Sequence, residues 1–179
     1  MRIPYIIGEK LYLRPLERED LTETYLGWVN DPEVNKYLEV GLFPTNRDDL
    51  ASYYERTHHP SSIVLAIVDK ASDQHIGNIS LTSINYIHGR ADLGIMIGRK
   101  NFWRKGYGTE AIKLVVDYAF KRLRLHKISA GMYEENQASR WVFEKAGFIF
   151  VACLVDELYR EGSYHSKVVM KKLNKEVMK

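Results

Sequence analysis

The stretch GIMIGRKNFWRKGYGTEAIKLVVDYAF, residues 94–120, decides how the rest of the chain reads. It begins as the end of an apolar strand, crosses a basic insert and reaches Gly106-Tyr107-Gly108 just before a helix. Ile112, Val115, Val116, Ala119 and Leu123 share one stripe of that helix. Glycines in such a turn let successive N–H groups curl towards an anion, and a helix N-terminus adds unpaired donors and roughly half a positive charge. Arg104 and Lys105 stand immediately before the glycines, and Thr109 is read as opening the helix. The arrangement suits a ligand with a pyrophosphate.

Two ligand classes compete for the turn. Gly106 to Ala111 also spells G-x-G-x-x-A, the pattern of a nicotinamide- or flavin-binding turn, with Glu134 or Glu135 as the acid after the next strand. That reading needs the glycines directly behind a strand, yet the seven residues RKNFWRK separate Gly98 from Gly106. It also needs further parallel strands, and short-turn hairpins flank the unit on both sides.

Upstream, SIVLAIVD (62–69), HIGNISLTSI (75–84) and ADLGIMIG (91–98) are strands joined by the turns KASDQ and NYIHGR, an antiparallel meander. Downstream, KISAGMY (127–133) follows the long helix, so strand, helix and strand predict a parallel crossover. NQASRWVFEKAGF (136–148) is a short helix stopped by Gly147, and FIFVACLVDELY and SYHSKVVMKKL form a final hairpin. Near the start, KLYLRPL (10–16) is a strand. EREDLTETYLGWVN (17–30) is a helix with acids in its first turn, and RDDLASYYERTHH (47–59) is another, capped by Thr45 or Asn46. These elements predict one α/β domain over residues 1–179, with a mixed, mostly antiparallel central sheet flanked by helices.

The totals narrow the functional classes. Of 179 residues, 45% are hydrophobic and 27% charged, the profile of an ordinary soluble protein. A net charge of +3 is too small to argue for nucleic acid, and the basic run FKRLRLHK (120–127) reads as a solvated helix end. No run of 18 apolar residues predicts a membrane span, and MRIPYIIGEKLYLRP lacks the pattern of a signal peptide. The single cysteine, Cys153, excludes an internal disulfide and fits the reducing cytoplasm; its apolar neighbours predict a buried strand position.

Two motifs then carry a resemblance. WRKGYG (103–108) resembles the cofactor motif Q/R-x-x-G-x-G/A of the GNAT family of acyl-CoA-dependent N-acetyltransferases. NQASRWVFEKAGF resembles the same family's N-x-x-S/A motif with its E-K-x-G-F ending, one helix and one strand later. LYLRPLEREDL and NYIHGRADLGIMIG resemble the branch that includes ribosomal-protein alanine and spermidine N-acetyltransferases, and the likeness runs from about Lys10 to Leu173. It implies acetyl-CoA as cosubstrate, no metal, and splayed parallel strands at residues 92–98 and 127–133 with the pantetheine arm between them. By the same likeness Met96, Ile97 and Gly98 contact the arm and acetyl group through their backbone, the N–H of Met96 or Ile97 polarising the thioester carbonyl. The amides of Arg104, Lys105, Gly106, Tyr107, Gly108 and Thr109 would cradle the pyrophosphate. Asn136 would bond the arm, Ser139 and Phe143 would line the helix face towards the sulfur, and Lys145, Arg140 or Lys105 would meet the adenosine phosphate.

The implied chemistry is direct attack of a primary amine on the thioester, in which positioning supplies much of the rate. Asp92 is the candidate base, with Glu134 and Glu135 as alternatives. Phe143 stands where the family often has a tyrosine as acid, so either Ser139 or another hydroxyl substitutes or the thiolate leaves unassisted; Trp103 likewise stands where Gln or Arg is usual. His126 and His165 read as isolated imidazoles. Trp28, Asp31, Glu33, Tyr37, Glu39, Tyr53, Tyr54 and the loop YREGSYH are expected to wall the acceptor site, for a protein N-terminus, an amino sugar or a polyamine. The expected partner is thus a small-molecule or peptide amine, with no nucleic acid or membrane; a homodimer is compatible. Two rival readings stand beside this one: a non-catalytic acyl-CoA-binding GNAT-like module, favoured by Phe143, and a nicotinamide-dependent oxidoreductase.

Overall fold

The computed structural model describes residues 3–57 and 59–175. Its strands are β1 (Ile6–Ile7), β2 (Leu11–Pro15), β3 (Ile63–Asp69), β4 (His75–Asn85), β5 (Arg90–Ile97), β6 (Lys127–Tyr133), β7 (Ile149–Arg160) and β8 (Ser163–Leu173). The helices are α1 (Glu23–Asn30), α2 (Pro32–Asn35), α3 (Arg47–Thr57), α4 (Tyr107–Lys121) and α5 (Gln137–Lys145). One sheet holds all eight strands in the order β1-β2-β3-β4-β5-β6-β8-β7. The meander β3-β4-β5 and the crossover through α4 stand as the sequence pattern predicts. So does the mixed sheet: among the described residues only β5 and β6 pair in parallel.

That parallel pairing is short. It runs through Arg90–Lys127, Ala91–Ile128 and Asp92–Ser129 and then stops. Beyond it, β5 stays with β4 as far as Ile97–Gly77, while β6 stays with β8 as far as Tyr133–Lys167. Each strand follows its antiparallel neighbour, so the two diverge.

Alternation along the strands divides the buried side chains between two faces. Leu11, Leu13, Ile67, Leu93 and Ile128 pack under Ile112, Val115 and Val116 of α4 and Phe143 of α5. On the opposite face Tyr12, Ala66 and Val68 meet Tyr25, Trp28 and Val29 of α1 and Leu50 of α3. No helix among the described residues is long and apolar enough to cross a membrane.

Local structure departs from the sequence expectations at several points. Residues 17–30 are not one helix: Arg18–Asp20 forms a 3-10 turn, and Thr22 caps α1 by accepting the Tyr25 N–H at 3.4 Å. Asp20 closes that turn by accepting the Glu17 N–H at 2.9 Å, because its carboxylate is drawn into the interior by Arg14. Helix α4 starts at Tyr107, two residues before Thr109, since left-handed Gly106 (φ 89°) forms its N-cap. Helix α3 is capped by Asn46, whose Oδ1 accepts from the amides of Asp48 and Asp49; it ends at Thr57, and His58 lies outside the described residues. Cys153 is exposed rather than buried. It sits on the edge strand β7, where Phe150, Val151, Leu154 and Val155 are exposed as well.

Under α1 lies a buried polar cluster. Arg14 and Asp20 form two parallel bonds of 2.6 Å, with both side chains essentially inaccessible. Burial pushes the Asp20 pKa up, but the bonds from Arg14 and the Glu17 amide outweigh it and hold the carboxyl below its ordinary range. His75 lies beside the pair, and its Nε2 is 2.9 Å from the Gly77 carbonyl and 2.8 Å from Asn78 Oδ1. Both oxygens accept, so Nε2 carries the proton, and burial pushes the His75 pKa down.

Removing one partner of such a pair leaves the other charge buried alone, so Asp20→Asn is expected to cost about 3–5 kcal/mol in urea unfolding at neutral pH. Both native pKa values lie below those of the unfolded chain, where His titrates near 6.5 and Asp near 3.9, so the unfolded state binds more protons in acid. Unfolding free energy should therefore decline first as pH falls below about 6.5 through His75. It should decline again below about 4, as pH approaches the native pKa of Asp20. Urea midpoints across pH 3–8 check both limbs.

Candidate active site

The divergence of β5 from β6 opens into a cavity of about 1020 Å³ on the α1–α3 face. Its walls come from five regions: Ser80, Gly94 and Met96 of the meander, Gly131 and Tyr133 of β6, Tyr25, Asp49 and Tyr53 of the helices, Tyr37 and Glu39 between them, and Glu157 and Tyr159 of β7. Burial pushes the phenol pKa values of Tyr25 and Tyr53 up, so both remain protonated donors at neutral pH.

At the end of β5 the backbone is fixed by tight packing. The Trp103 indole N–H donates to the Ile97 carbonyl at 2.7 Å, and the Gly98 and Arg99 amides both donate to the Ile76 carbonyl. A Cβ on Gly98 would overlap the Trp28 ring, so only glycine fits there. The chain then passes a short turn (Lys100–Phe102), left-handed Arg104 (φ 59°) and Gly106 into α4.

Inside α4 the first closing bond is Glu110 N–H to the Gly106 carbonyl, at 3.0 Å. The amides of Tyr107, Gly108 and Thr109 are therefore first-turn donors that the helix leaves without acceptors. Three contacts hold this turn in place. Lys10 Nζ donates to the Lys105 carbonyl at 3.1 Å, and the Lys10 N–H donates to Glu110 Oε1 at 3.0 Å. The Tyr107 hydroxyl donates to Asp69 at 2.7 Å, a bond that pushes its pKa up to about 12. A Cβ on Gly108 would stand 3.4 Å from Val142, where α4 and α5 approach closely.

Across the gap, Asn136 caps α5 by accepting the Ser139 N–H at 3.1 Å, which leaves its side-chain NH₂ as the group able to reach outward. Phe143, expected to face the sulfur, is 3% exposed and packs edge-on against Phe148 at 5.0 Å, within the α4-side core. Lys145 lies 3.8 Å over the Trp141 ring, and Arg140 pairs with Glu144 at 3.0 Å. Asp92 shares the sheet face of Gly94 and Met96 but lines a separate cleft of about 490 Å³, with Arg90, Lys127 and Ser129.

Of the residues expected to wall an acceptor site, Tyr37, Glu39, Tyr53 and Tyr159 line the larger cavity. It does not gather the others. Trp28 is buried on Gly98, and Tyr54 lies near the Arg18 guanidinium. Asp31 and Glu33 bind Lys100, whose hydrogen bond holds the Asp31 carboxyl below its usual pKa. Tyr25, Asp49, Tyr133 and Glu157 are site residues that the sequence pattern does not reveal. Their spacing fits ordinary helix and strand packing, and only the splay brings them together. His165, which reads as isolated in the sequence, bonds Glu135 at 2.8 Å.

Comparison with known proteins gives a consistent result. A family model described as an acetyltransferase (GNAT) domain matches residues 10–149. Spermidine N(1)-acetyltransferase of Vibrio cholerae is 30% identical over 88% of this chain and 90% of its own. An N-acetyltransferase of Bacillus licheniformis named p20, described as uncharacterized, is 34% identical over 73% of this chain and 74% of its own. The crystal structure of spermidine N-acetyltransferase from Vibrio cholerae in complex with CoA and spermine superposes with a TM-score of 0.84 at 29% identity, covering 96% of this chain and 100% of that one.

Two glycines in this neighbourhood should respond oppositely to alanine. Gly106→Ala forces a side chain into φ 89°, at an expected cost of about 1–2 kcal/mol. Gly27, inside α1 with nothing within 4 Å of a built Cβ, should gain up to about 1 kcal/mol as alanine. Thermal melts of the two variants beside the parent test the contrast.

Proposed function

The chain belongs to the GNAT acetyltransferase family, and we propose that it moves the acetyl group of acetyl-CoA to a primary amine held in the tyrosine-lined cavity. It is an N-acetyltransferase; the cosubstrate, the acceptor and the residue roles are the proposal, with residues 1–179 taken as one catalytic domain. One observation carries it: the β5–β6 pairing ends after three residue pairs, with the glycine turn and the free α4 amides at the end of β5.

The residues present suit the cosubstrate. The amides of Tyr107, Gly108 and Thr109, with the backbone and cations of Arg104 and Lys105 and the turn at Gly106, provide donors for a diphosphate. The diverging edges of β5, at Met96 and Ile97 up to Gly98, and of β6 provide backbone groups for an extended arm. Asn136 offers its NH₂ from the far side, Ser139 follows on the first turn of α5, and Lys145 or Arg140 lies further along it. Bound acetyl-CoA supplies the thioester carbonyl that an amine can attack.

On the acceptor side, Glu39, Asp49 and Glu157 oppose Arg56 around the cavity, and Tyr37, Tyr53, Tyr133 and Tyr159 offer ring faces. Carboxylates in excess and aromatic faces favour a cation, so the amine would arrive as ammonium and be oriented there. A polyamine is the first acceptor to test, in line with the spermidine and spermine named for the relatives. A peptide N-terminus and an amino sugar come next. The cytoplasmic location belongs to the same proposal and rests on the single unpaired cysteine.

Thermal unfolding with acetyl-CoA, CoA, NAD and NADP tests the cosubstrate. A ligand at about 100 times its Kd stabilises by about 2.7 kcal/mol, which for a chain of this size should raise Tm by about 5–10 °C. The rise is expected with acetyl-CoA and CoA, and thiol release should follow with spermidine, an alanine-terminated peptide or glucosamine. A rise confined to NAD or NADP would sink the reading; binding of acetyl-CoA without release for any amine would favour a non-catalytic module.

A further inference from the structure

We infer that Glu135 and His165 form the proton acceptor of this enzyme, with His165 Nε2 taking the proton from the acceptor ammonium through the Ser163 hydroxyl. The inference rests on the transferase reading above and adds the base, which neither the family motifs nor Asp92 in its separate cleft provides.

Glu135, Ser163 and His165 meet beside Tyr133 and Leu158, two residues of the cavity wall. Glu135 follows the end of β6, and its Oε1 is 2.8 Å from His165 Nδ1. His165 Nε2 is 3.0 Å from Ser163 Oγ, and that hydroxyl is also 3.3 Å from the Arg160 carbonyl. The carboxylate fixes the tautomer: Nδ1 donates to Glu135, which leaves the Nε2 lone pair facing Ser163.

The cluster satisfies both protonation states of the imidazole. In the neutral ring, the Ser163 O–H donates to Nε2. In the charged ring, Nε2–H donates to Ser163 Oγ, and the hydroxyl proton turns to the Arg160 carbonyl. The single hydroxyl proton has an acceptor in either state: Nε2 when the ring is neutral, the Arg160 carbonyl when it is charged. The Glu135 carboxyl pKa is itself held below its usual range by the bond from His165.

Position supports the role. His165 lies opposite Leu158, a cavity-lining residue of β7, and its ring meets the Tyr133 ring edge-on at 5.8 Å. Tyr133 lines the cavity where β6 leaves β5. The surrounding elements also carry Glu134 beside Glu135, Lys167, Lys171 and Lys172 on β8, Asp156, Glu157 and Arg160 on β7 and Lys36 after α2. Arg160 is engaged with Glu161, and Lys36 lies over the Tyr37 ring.

The ammonium gives one proton to Ser163 Oγ as Ser163 passes its own to Nε2, leaving a neutral amine and an imidazolium. The amine lone pair attacks the thioester carbonyl carbon, the C–N bond forms, and the C–S bond breaks with its electron pair leaving on sulfur. The second nitrogen proton passes to solvent, and the imidazolium returns its proton to the thiolate. The products are the amide, a thiol and one released proton.

The test follows kcat/KM against pH for the most active amine of the panel above, using the parent, His165→Gln and Glu135→Gln. His165→Gln should lose about 100-fold at pH 7 and recover most of it towards pH 10, where the amine sheds its proton unaided. Its Tm rise with acetyl-CoA should match the parent's. Glu135→Gln should lower kcat at pH 7 by about 10-fold or more with the KM for acetyl-CoA unchanged, because no carboxylate then holds Nδ1 as the donor and Nε2 towards Ser163; it also serves if His165→Gln does not fold. Parent-like profiles, within about twofold in rate at every pH, would overturn the assignment while leaving the transferase reading intact. A parent that binds acetyl-CoA but acetylates no amine would overturn both.

Discussion

The divergence of two parallel strands is the constraint on which the rest of this structure depends. A parallel pair gains its hydrogen bonds only while its members stay side by side, and here each member has a longer antiparallel partner on its other edge. β4 holds β5, and β8 holds β6. The sheet's twist is therefore absorbed at the β5–β6 seam, which opens after Asp92 and Ser129. Backbone groups that a continuous sheet would consume are left at the seam, on one side facing the glycine turn and on the other the tyrosine-lined cavity. Unfilled pairing capacity thus lies between the cosubstrate and acceptor sides of the proposed reaction.

Around the seam, polar groups in the interior fix positions. The Arg14–Asp20 pair anchors the turn that launches α1, and neutral His75 ties the start of β4 to its bulge through Gly77 and Asn78. Asn78 in turn reaches the cavity wall beside Tyr25. A bidentate ion pair specifies one geometry where apolar side chains would tolerate several, and α1 supplies both the Tyr25 wall and the Trp28 ring.

Much of this was legible in the sequence because it is written in short-range periodicity. The apolar runs and short turns of the meander, the 3.6-residue stripe of α4 and the stop at Gly147 need only local chemistry. So does the turn at Gly106, whose conformation follows from having no Cβ. Three other features depend on contacts between distant residues. The helix expected over residues 17–30 starts late because Asp20 answers Arg14, which is on another element. Cys153 has apolar neighbours, yet its exposure follows from strand order: β8 inserts beside β6 and leaves β7 at the edge. His165 gains its meaning from Glu135, 30 residues earlier, and neither position marks the other in the linear chain.

The contact between Trp28 and Gly98 has a thermodynamic consequence. Trp28 sits one helical turn from Tyr25, which walls the acceptor cavity, and its ring fills the space a side chain at position 98 would need. Position 98 is the hinge between β5 and the turn that carries the free α4 amides. A ligand that moves α1 alters this contact, and a ligand that tightens the hinge meets the same ring. Two binding events that share such a contact cannot be energetically independent, and whatever one does to the affinity of the other is returned in equal measure.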